Sequence, residues 1–225
     1  MSQGPLVQMG EGMIILPTAY FGPISYYAAM YHADEVVIEA CEHYVKQTLR
    51  NRCIIATDQG PLTLSCYVEK GNRLKMPIRE VRISDHKDWR REHLHALATY
   101  YGMSPFYEYY ADELRDVLMT GHNGTLFDMN EALRRWCCQQ IGFEPKVRYS
   151  EAYMGATETF GRASAQGTAT VVEPFSALLQ DAGAVTYYQI ASAYGKQPFM
   201  ADMSILDLLF NMGPEAILVL EKLKS

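Results

Sequence analysis

Two short, unbroken apolar runs, residues 13–16 and 36–38, constrain the fold of this chain more than any other feature. Neither run alternates apolar with polar side chains. Each must therefore be buried on both faces, the pattern of strands in a parallel sheet covered by helices. Between the runs, Gly22-Pro23 opens a stretch over 24–32 in which Ile24, Tyr27, Ala28 and Tyr31 recur at helical spacing. Asp34-Glu35 ends it. Strand, helix and strand in this order predict a β-α-β unit with a right-handed crossover. Further strands are expected over 52–56, 62–68 and 81–83, with turns at Gly60-Pro61 and Gly71-Asn72.

The pattern changes after Ser84. A helix over 87–101, capped by Ser84 or Asp85, carries Trp89, His93, Leu97 and Tyr101 four apart on one stripe. Ser104-Pro105 opens a second helix reaching about 119, and a third over 125–141 stops at Gly142. A strand follows over 146–149. Residues 150–170, dominated by Gly, Ala, Ser and Thr, read as a long surface loop. Ser204 with Asp207 resembles a capping box at the start of a helix over 205–211, and Gly213-Pro214 opens a last helix over 215–223. The fold class is mixed α/β: a single domain spanning 1–225, with an N-terminal β-α-β unit, further strands, and a helical layer in the middle and C-terminal parts.

Hydrophobic residues make up 48% of the 225 and charged residues 20%, which excludes disorder and collagen-like order. No run reaches the roughly 20 apolar residues of a membrane-spanning helix, so no membrane insertion is expected. A net charge of −6 argues against a surface for extended nucleic acid and still permits a local basic site. Residues 1–12 lack the basic and apolar regions of a secretory signal, and the expected location is the cytoplasm. Five cysteines without a C-x-x-C pair read as small core hydrophobes.

Familiar chemical motifs are missing. Gly195-Lys196 is followed by Gln197 and has Ile190 where a phosphate loop needs its first glycine. Gly10 and Gly12 precede the first strand instead of following it, and neither G-x-S-x-G nor H-E-x-x-H occurs. His93 and His95 would be separated by roughly 200° on a helix and cannot share a metal. No metal site is expected, and no cofactor can be named.

What remains is a set of polar constellations. The segment 43–52 places His43, Tyr44, Lys46, Gln47, Arg50, Asn51 and Arg52 directly before a strand. Guanidinium forks match phosphate or carboxylate oxygens, so this segment is either an anion site or a solvated basic turn. His43 is a candidate general acid or base. Glu39 and Glu42 follow the second strand where carboxylates could act. Tyr20, just beyond the first strand, lies where ligands bind in open α/β sheets, and stacks on a ligand or packs in the core. Tyr100, Tyr101, Tyr107, Tyr109 and Tyr110 read as packing between helices. Asp207 is a cap partner or a site residue.

Several patches together resemble the WbqC-like family. Leu16-Pro17-Thr18-Ala19-Tyr20-Phe21-Gly22-Pro23 is similar to its proline–aromatic–proline opening, although the family usually has glutamine where Leu16 stands. Glu42-His43-Tyr44 through Arg50-Asn51-Arg52 resembles its polar stretch ending in N-R, and Trp89 with His93 its W-x-x-x-H helix. Tyr100 to Tyr107 resembles its tyrosine–proline–aromatic segment. Ser204-Ile205-Leu206-Asp207-Leu208-Leu209-Phe210-Asn211 with Gly213-Pro214 looks like its closing motif. The glycines from Gly155 to Gly167 match nothing in that pattern.

Such proteins occur with O-antigen and other surface-polysaccharide gene clusters, and glycine or related aminoacyl transfer to a sugar has been proposed for some. The resemblance implies a transferase taking an activated sugar or an aminoacyl or acyl donor. His43 or His93 would move a proton, and Tyr20, Tyr44, Arg50, Asn51, Arg52, Trp89 and Asp207 would hold substrate. Two alternatives stay open. One is a nucleotidyltransferase-like enzyme, suggested by the opening β-α-β layout but lacking its H-x-G-H pair. The other is a non-catalytic binding or scaffold protein in a glycan biosynthetic complex.

Overall fold

The computed structural model describes residues 12–69, 75–120, 124–154, 185–193 and 197–223. The expected turn at Gly71-Asn72 and most of the expected loop over 150–170 lie outside the described residues. Strand β1 (Met13–Pro17) pairs in parallel with β2 (Glu35–Glu39), Ile15 opposite Val37, and α1 (Ile24–His32) connects them. Strand β5 (Val147–Tyr149) adds in parallel to the other side of β2, giving the order β1-β2-β5. Val36, Val37 and Ile38 have no exposed surface, as an apolar run at the centre of a covered sheet requires.

A separate antiparallel hairpin consists of β3 (Arg52–Thr57) and β4 (Gly60–Ser65). Its pairing stops at Ser65, short of the expected Val68, and residues 81–83 form no strand. They make isolated bridges instead, Val68 with Ile83 and Arg82 with Thr125. The reason is that this segment bonds two different neighbours. Glu69 N–H donates to Arg82 O and Ser84 N–H to Tyr67 O, whereas Leu126 N–H donates to Val81 O and Ile83 N–H to Gly124 O. Neither partner runs alongside long enough to continue a ladder.

Helix α2 (Trp89–Tyr101) buries Trp89, His93, Leu97 and Tyr101, the stripe read from their spacing. The expected side-chain cap is absent. Ser84 Oγ accepts from His86 N–H, its carbonyl accepts from Trp89 Nε1, and Asp85 pairs with Arg90. Helix α3 (Tyr107–Thr120) leads to α4 (Leu126–Ile141). Thr125 caps α4 by accepting from Asp128 N–H at 3.1 Å, and Gly142, at φ +90°, ends it with a bond to Cys138 O.

A short α5 (Ile190–Ala193) precedes α6 (Ile205–Met212) and α7 (Ala216–Lys222). Among the described residues, no helix is long and apolar enough to cross a membrane.

Residues 202–207 fasten the C-terminal helices to the N-terminal unit. Ser204 N–H donates to Ile54 O and its hydroxyl to Phe21 O, while Ile205 N–H donates to Gly22 O. Asp202 caps α1 from 177 positions away, accepting Ser25 N–H at 2.8 Å and Ser25 Oγ–H at 2.9 Å. Asp207 is not the cap partner that its spacing from Ser204 suggests. Fully buried, it accepts from Tyr101 Oη at 2.8 Å, from Gln189 Nε2 at 2.7 Å and from Tyr187 Oη, joining α2, α6 and the 187–189 segment. At the end of that motif Gly213 has φ +55°, and a Cβ there would lie 2.5 Å from the Phe106 ring.

Two buried carboxylates stand at the end of β2 and in the connection to β3. Glu39 accepts from Cys41 N–H, Met154 N–H and Ser150 Oγ. Glu42 grips Arg50 through both oxygens, with Nε donating to Oε1 at 2.7 Å and Nη2 to Oε2. Arg50 is 2% exposed. Its carbonyl accepts from Asn130 Nδ2, and the Leu49 carbonyl accepts from Tyr20 N–H, both at 2.8 Å.

Removing one partner of this pair leaves an uncompensated buried charge. Glu42→Ala and Arg50→Ala should each lower unfolding free energy by about 3–5 kcal/mol in urea titrations, with Glu42→Leu/Arg50→Leu costing less than the sum.

Burial raises the Asp202 carboxyl to about 6, with the two Ser25 bonds opposing. The folded state therefore holds its proton to higher pH than the unfolded chain, and this group's contribution is lost as pH rises from about 4 to about 6. Asp202→Asn keeps an acceptor for Ser25 and tolerates the left-handed backbone at φ +54°. It should match or exceed the parent in stability at pH 7 and lose stability more steeply on acidification, checked by thermal melts from pH 4 to 8.

Candidate functional site

Six of the residues singled out from the sequence converge around Cys66, which follows β4. Three form a rigid floor. Tyr20 and Trp89 have no exposed surface, His93 is 5% exposed, and the three rings meet at centroid distances of 5.1 to 6.1 Å. Tyr20 and His93 are bonded at 2.8 Å through Oη and Nδ1. Burial lowers His93 to about 4, opposed by its bond to the Ser65 backbone. The ring is therefore neutral at pH 7 with a single N–H. The Ser65 carbonyl requires that donor, which leaves Nδ1 to accept the Tyr20 hydroxyl proton. Both ring nitrogens are occupied.

The other three residues form a rim. Tyr44 is half-buried, its hydroxyl pushed up to about 12 by burial and by Cys66, with Arg52 and Arg50 opposing. Asn51 donates Nδ2 to Cys66 O at 3.1 Å, and Cys66 N–H donates to Asn51 O at 2.8 Å. Arg52, at the start of β3, is half-buried. Arg90 joins this rim. Its guanidinium stacks 4.7 Å over the Trp89 ring, pairs with Asp85, and lies within electrostatic reach of Cys66 and Tyr20.

Unmet hydrogen-bonding capacity is a feature of this cluster. Asn51 Oδ1, Arg52 Nε and Arg90 Nε are buried atoms without a partner among the described residues. An unpaired buried polar atom costs about 1–3 kcal/mol, and native proteins keep few of them. Two cationic donors and one amide acceptor suit a ligand carrying both an anionic group and a hydroxyl or amine. The thiol beneath them is no nucleophile, since burial pushes Cys66 well above its usual range. Burial likewise raises Cys53 and Cys138 to about 12.

The remaining sequence candidates lie elsewhere. Arg50 is held by Glu42 instead of facing solvent. Asp207 is enclosed by two tyrosine hydroxyls and an amide, so it presents no surface to a ligand. Tyr20 and Trp89 support the site from behind, because their rings are covered on every side. His43 is exposed and bridges to Pro77, on a turn where Tyr44 N–H donates to Met76 O and Ile78 N–H to Glu42 O. Arg90 escaped the sequence reading for lack of a local signal. It is one of two adjacent arginines after Trp89, and its neighbour Arg91 is an exposed partner of Asp88.

Comparison with known proteins gives a family and one uncharacterised relative. The model of the WbqC-like protein family matches residues 18–219. An uncharacterized protein of Mycobacterium tuberculosis, Rv1507c, is 28% identical over 218 residues, covering 90% of this chain and 94% of that protein. No solved structure matches the chain.

Tyr20→Phe removes the donor to His93 Nδ1 and should lower stability by about 1–3 kcal/mol. Because His93 is depressed, the unfolded chain binds its proton first on acidification. The parent should lose this group's contribution as pH falls from about 6.5 to about 4, and His93→Gln should flatten that slope in calorimetric melts.

Proposed function

The chain belongs to the WbqC-like protein family, and from that premise we propose that it is a cytoplasmic transferase of surface-polysaccharide biosynthesis. It moves an aminoacyl, glycyl or other acyl group from an activated donor to a sugar. The observation that carries this reading is the trio of unpartnered polar atoms around Cys66. Arg52 and Arg90 hold the phosphate or carboxylate of the donor, and the Asn51 carbonyl oxygen accepts a hydroxyl or amine proton and orients it. The acceptor oxygen or nitrogen attacks the donor carbonyl, and the leaving group departs with the bonding pair. Proton removal is assigned to His43, which stands outside the rim but next to Tyr44 in the chain, because His93 is neutral with both nitrogens engaged. The floor of Tyr20, Trp89 and His93 fixes the rim, which limits the loss of entropy when substrate binds.

A non-catalytic binding protein of the same pathway draws support from one observation. Neither Cys66 nor His93 is chemically available, so His43 alone would have to carry proton transfer.

Thermal melting in the presence of nucleotide sugars, amino acids, aminoacyl adenylate analogues and coenzyme A thioesters tests both readings. The transferase reading expects one ligand class to raise the melting temperature by mass action. Arg52→Ala should abolish that shift without altering melting of the free protein. His43→Ala should keep the shift and lose turnover by about 100-fold or more. A shift without turnover in the parent protein favours the binding role. No shift with any class overturns a small activated donor.

A further inference from the structure

A cleft of about 700 Å³ opens between the C-terminal half of α4 and β5, and the transfer site described above uses none of it. Its lining includes Arg134, Arg135, Phe143, Glu144, Val147 and Tyr149. The volume lies within the range of small-molecule sites.

Charge is the first indication of a ligand. On a chain of net charge −6, two exposed guanidinium groups meet the Tyr149 ring, Arg135 from within the cleft and Arg79 from outside its lining. Arg135 Nη2 donates to Tyr149 Oη at 3.0 Å, and Arg79 stands 5.5 Å from the centroid of the same ring, also stacking over Phe127 at 4.9 Å. Both cations lack a carboxylate partner among the described residues, and guanidinium forks match phosphate oxygens.

The second indication lies behind Tyr149. Its hydroxyl donates to Glu131 Oε2 at 3.0 Å, and Arg134 donates to the same oxygen from Nε at 3.0 Å and Nη2 at 2.8 Å. Three donors thus crowd Oε2, whereas Oε1 of this 3% exposed residue has none. Oε1 is an acceptor without a donor at the inner end of a hydrogen-bonded chain that runs from Arg135 in the cleft through Tyr149 to Glu131. Phe143 and Val147 add apolar wall, with Phe143 braced edge-on against Tyr31 at 5.6 Å.

We propose that this cleft binds a phosphorylated monosaccharide. The phosphate lies on Arg135, one face of the sugar ring rests on Phe143 and Tyr149, and hydroxyls reach Glu144 and the Tyr149 hydroxyl. No residue of the cleft belongs to the Arg52 cluster, so the assignment stands or falls independently of the transferase reading.

Amide spectra of the ¹⁵N-labelled full chain, titrated with glucose 1-phosphate, glucose or inorganic phosphate, provide the test. Glucose 1-phosphate should shift the amides of Gly142, Phe143, Val147 and Tyr149, binding at least about tenfold more tightly than glucose or phosphate alone. Arg135→Ala and Tyr149→Phe should each weaken it by about tenfold or more, while Arg52→Ala leaves it unchanged. Arg135 is exposed, so its variant keeps the test sound even if Tyr149→Phe loosens the fold. An absence of cleft shifts at about 10 mM, an equal response to inorganic phosphate, or sensitivity to Arg52→Ala instead of Arg135→Ala would overturn the assignment.

Discussion

The ion pair between Glu42 and Arg50 is the constraint on which the rest of the structure depends. Both side chains are buried in the connection between the parallel sheet and the hairpin. A bidentate geometry offsets the desolvation of two charges, and the backbone around Arg50 is engaged as well. Its carbonyl takes the Asn130 amide from α4, and the preceding carbonyl takes the Tyr20 amide from the turn after β1. One interaction thereby locates three elements at once: the turn after β1, the N-terminal half of α4 and the start of β3. Asn51 and Arg52 follow directly in the chain, and the rim of the candidate site inherits its position from this buried pair.

The site itself separates support from contact. Tyr20, Trp89 and His93 pack edge to face with their hydrogen bonds satisfied among themselves and with backbone, which makes a stiff, neutral base. Tyr44, Asn51, Arg52 and Arg90 stand above it, the last three with bonding capacity left over. A rim held in this way can present charge to a ligand without reorganising, the condition under which fixed dipoles and cations act most strongly. The same division recurs at the cleft beside β5, where Arg134 is tied to Glu131 and Arg135 faces solvent.

The C-terminal motif acts through the core. Asp207 gathers two tyrosine hydroxyls and an amide, Asn211 Nδ2 donates to its carbonyl, and Ser204 bonds the chain to Phe21 and Ile54. Burial raises the Asp207 carboxyl while these hydrogen bonds oppose the shift. The residues 204–213 are thus a clasp holding α6 against α2, the hairpin and the turn after β1. Their chemical character, polar residues set among leucines, reflects the need to satisfy buried backbone and side-chain groups where four segments meet.

Apolar periodicity is local, and it was legible in the sequence. The apolar runs at 13–16 and 36–38, the four-residue stripe from Trp89 to Tyr101, and the helix bounded by Thr125 and Gly142 all appear where side-chain spacing and backbone preference place them. The grouping of Tyr20, Tyr44, Asn51, Arg52, Trp89 and His93 was legible only as a set of separate patches. Which member is buried, paired or open could not be read, because that depends on residues far away in the chain. Arg50 and Arg52 are two positions apart and chemically alike, yet Glu42 removes the first from solvent and leaves the second to the rim. Asp207 has the spacing of a cap, yet Tyr101, 106 positions away, draws its carboxylate inward. The sequence by itself determined the helices and the apolar strands, since helix and strand respond to neighbours within a few residues, but not the 81–83 segment, which pairs with two distant neighbours. The tertiary structure alone decided which charges are satisfied, because a buried charge takes its partner from whichever segment the fold brings within hydrogen-bonding distance.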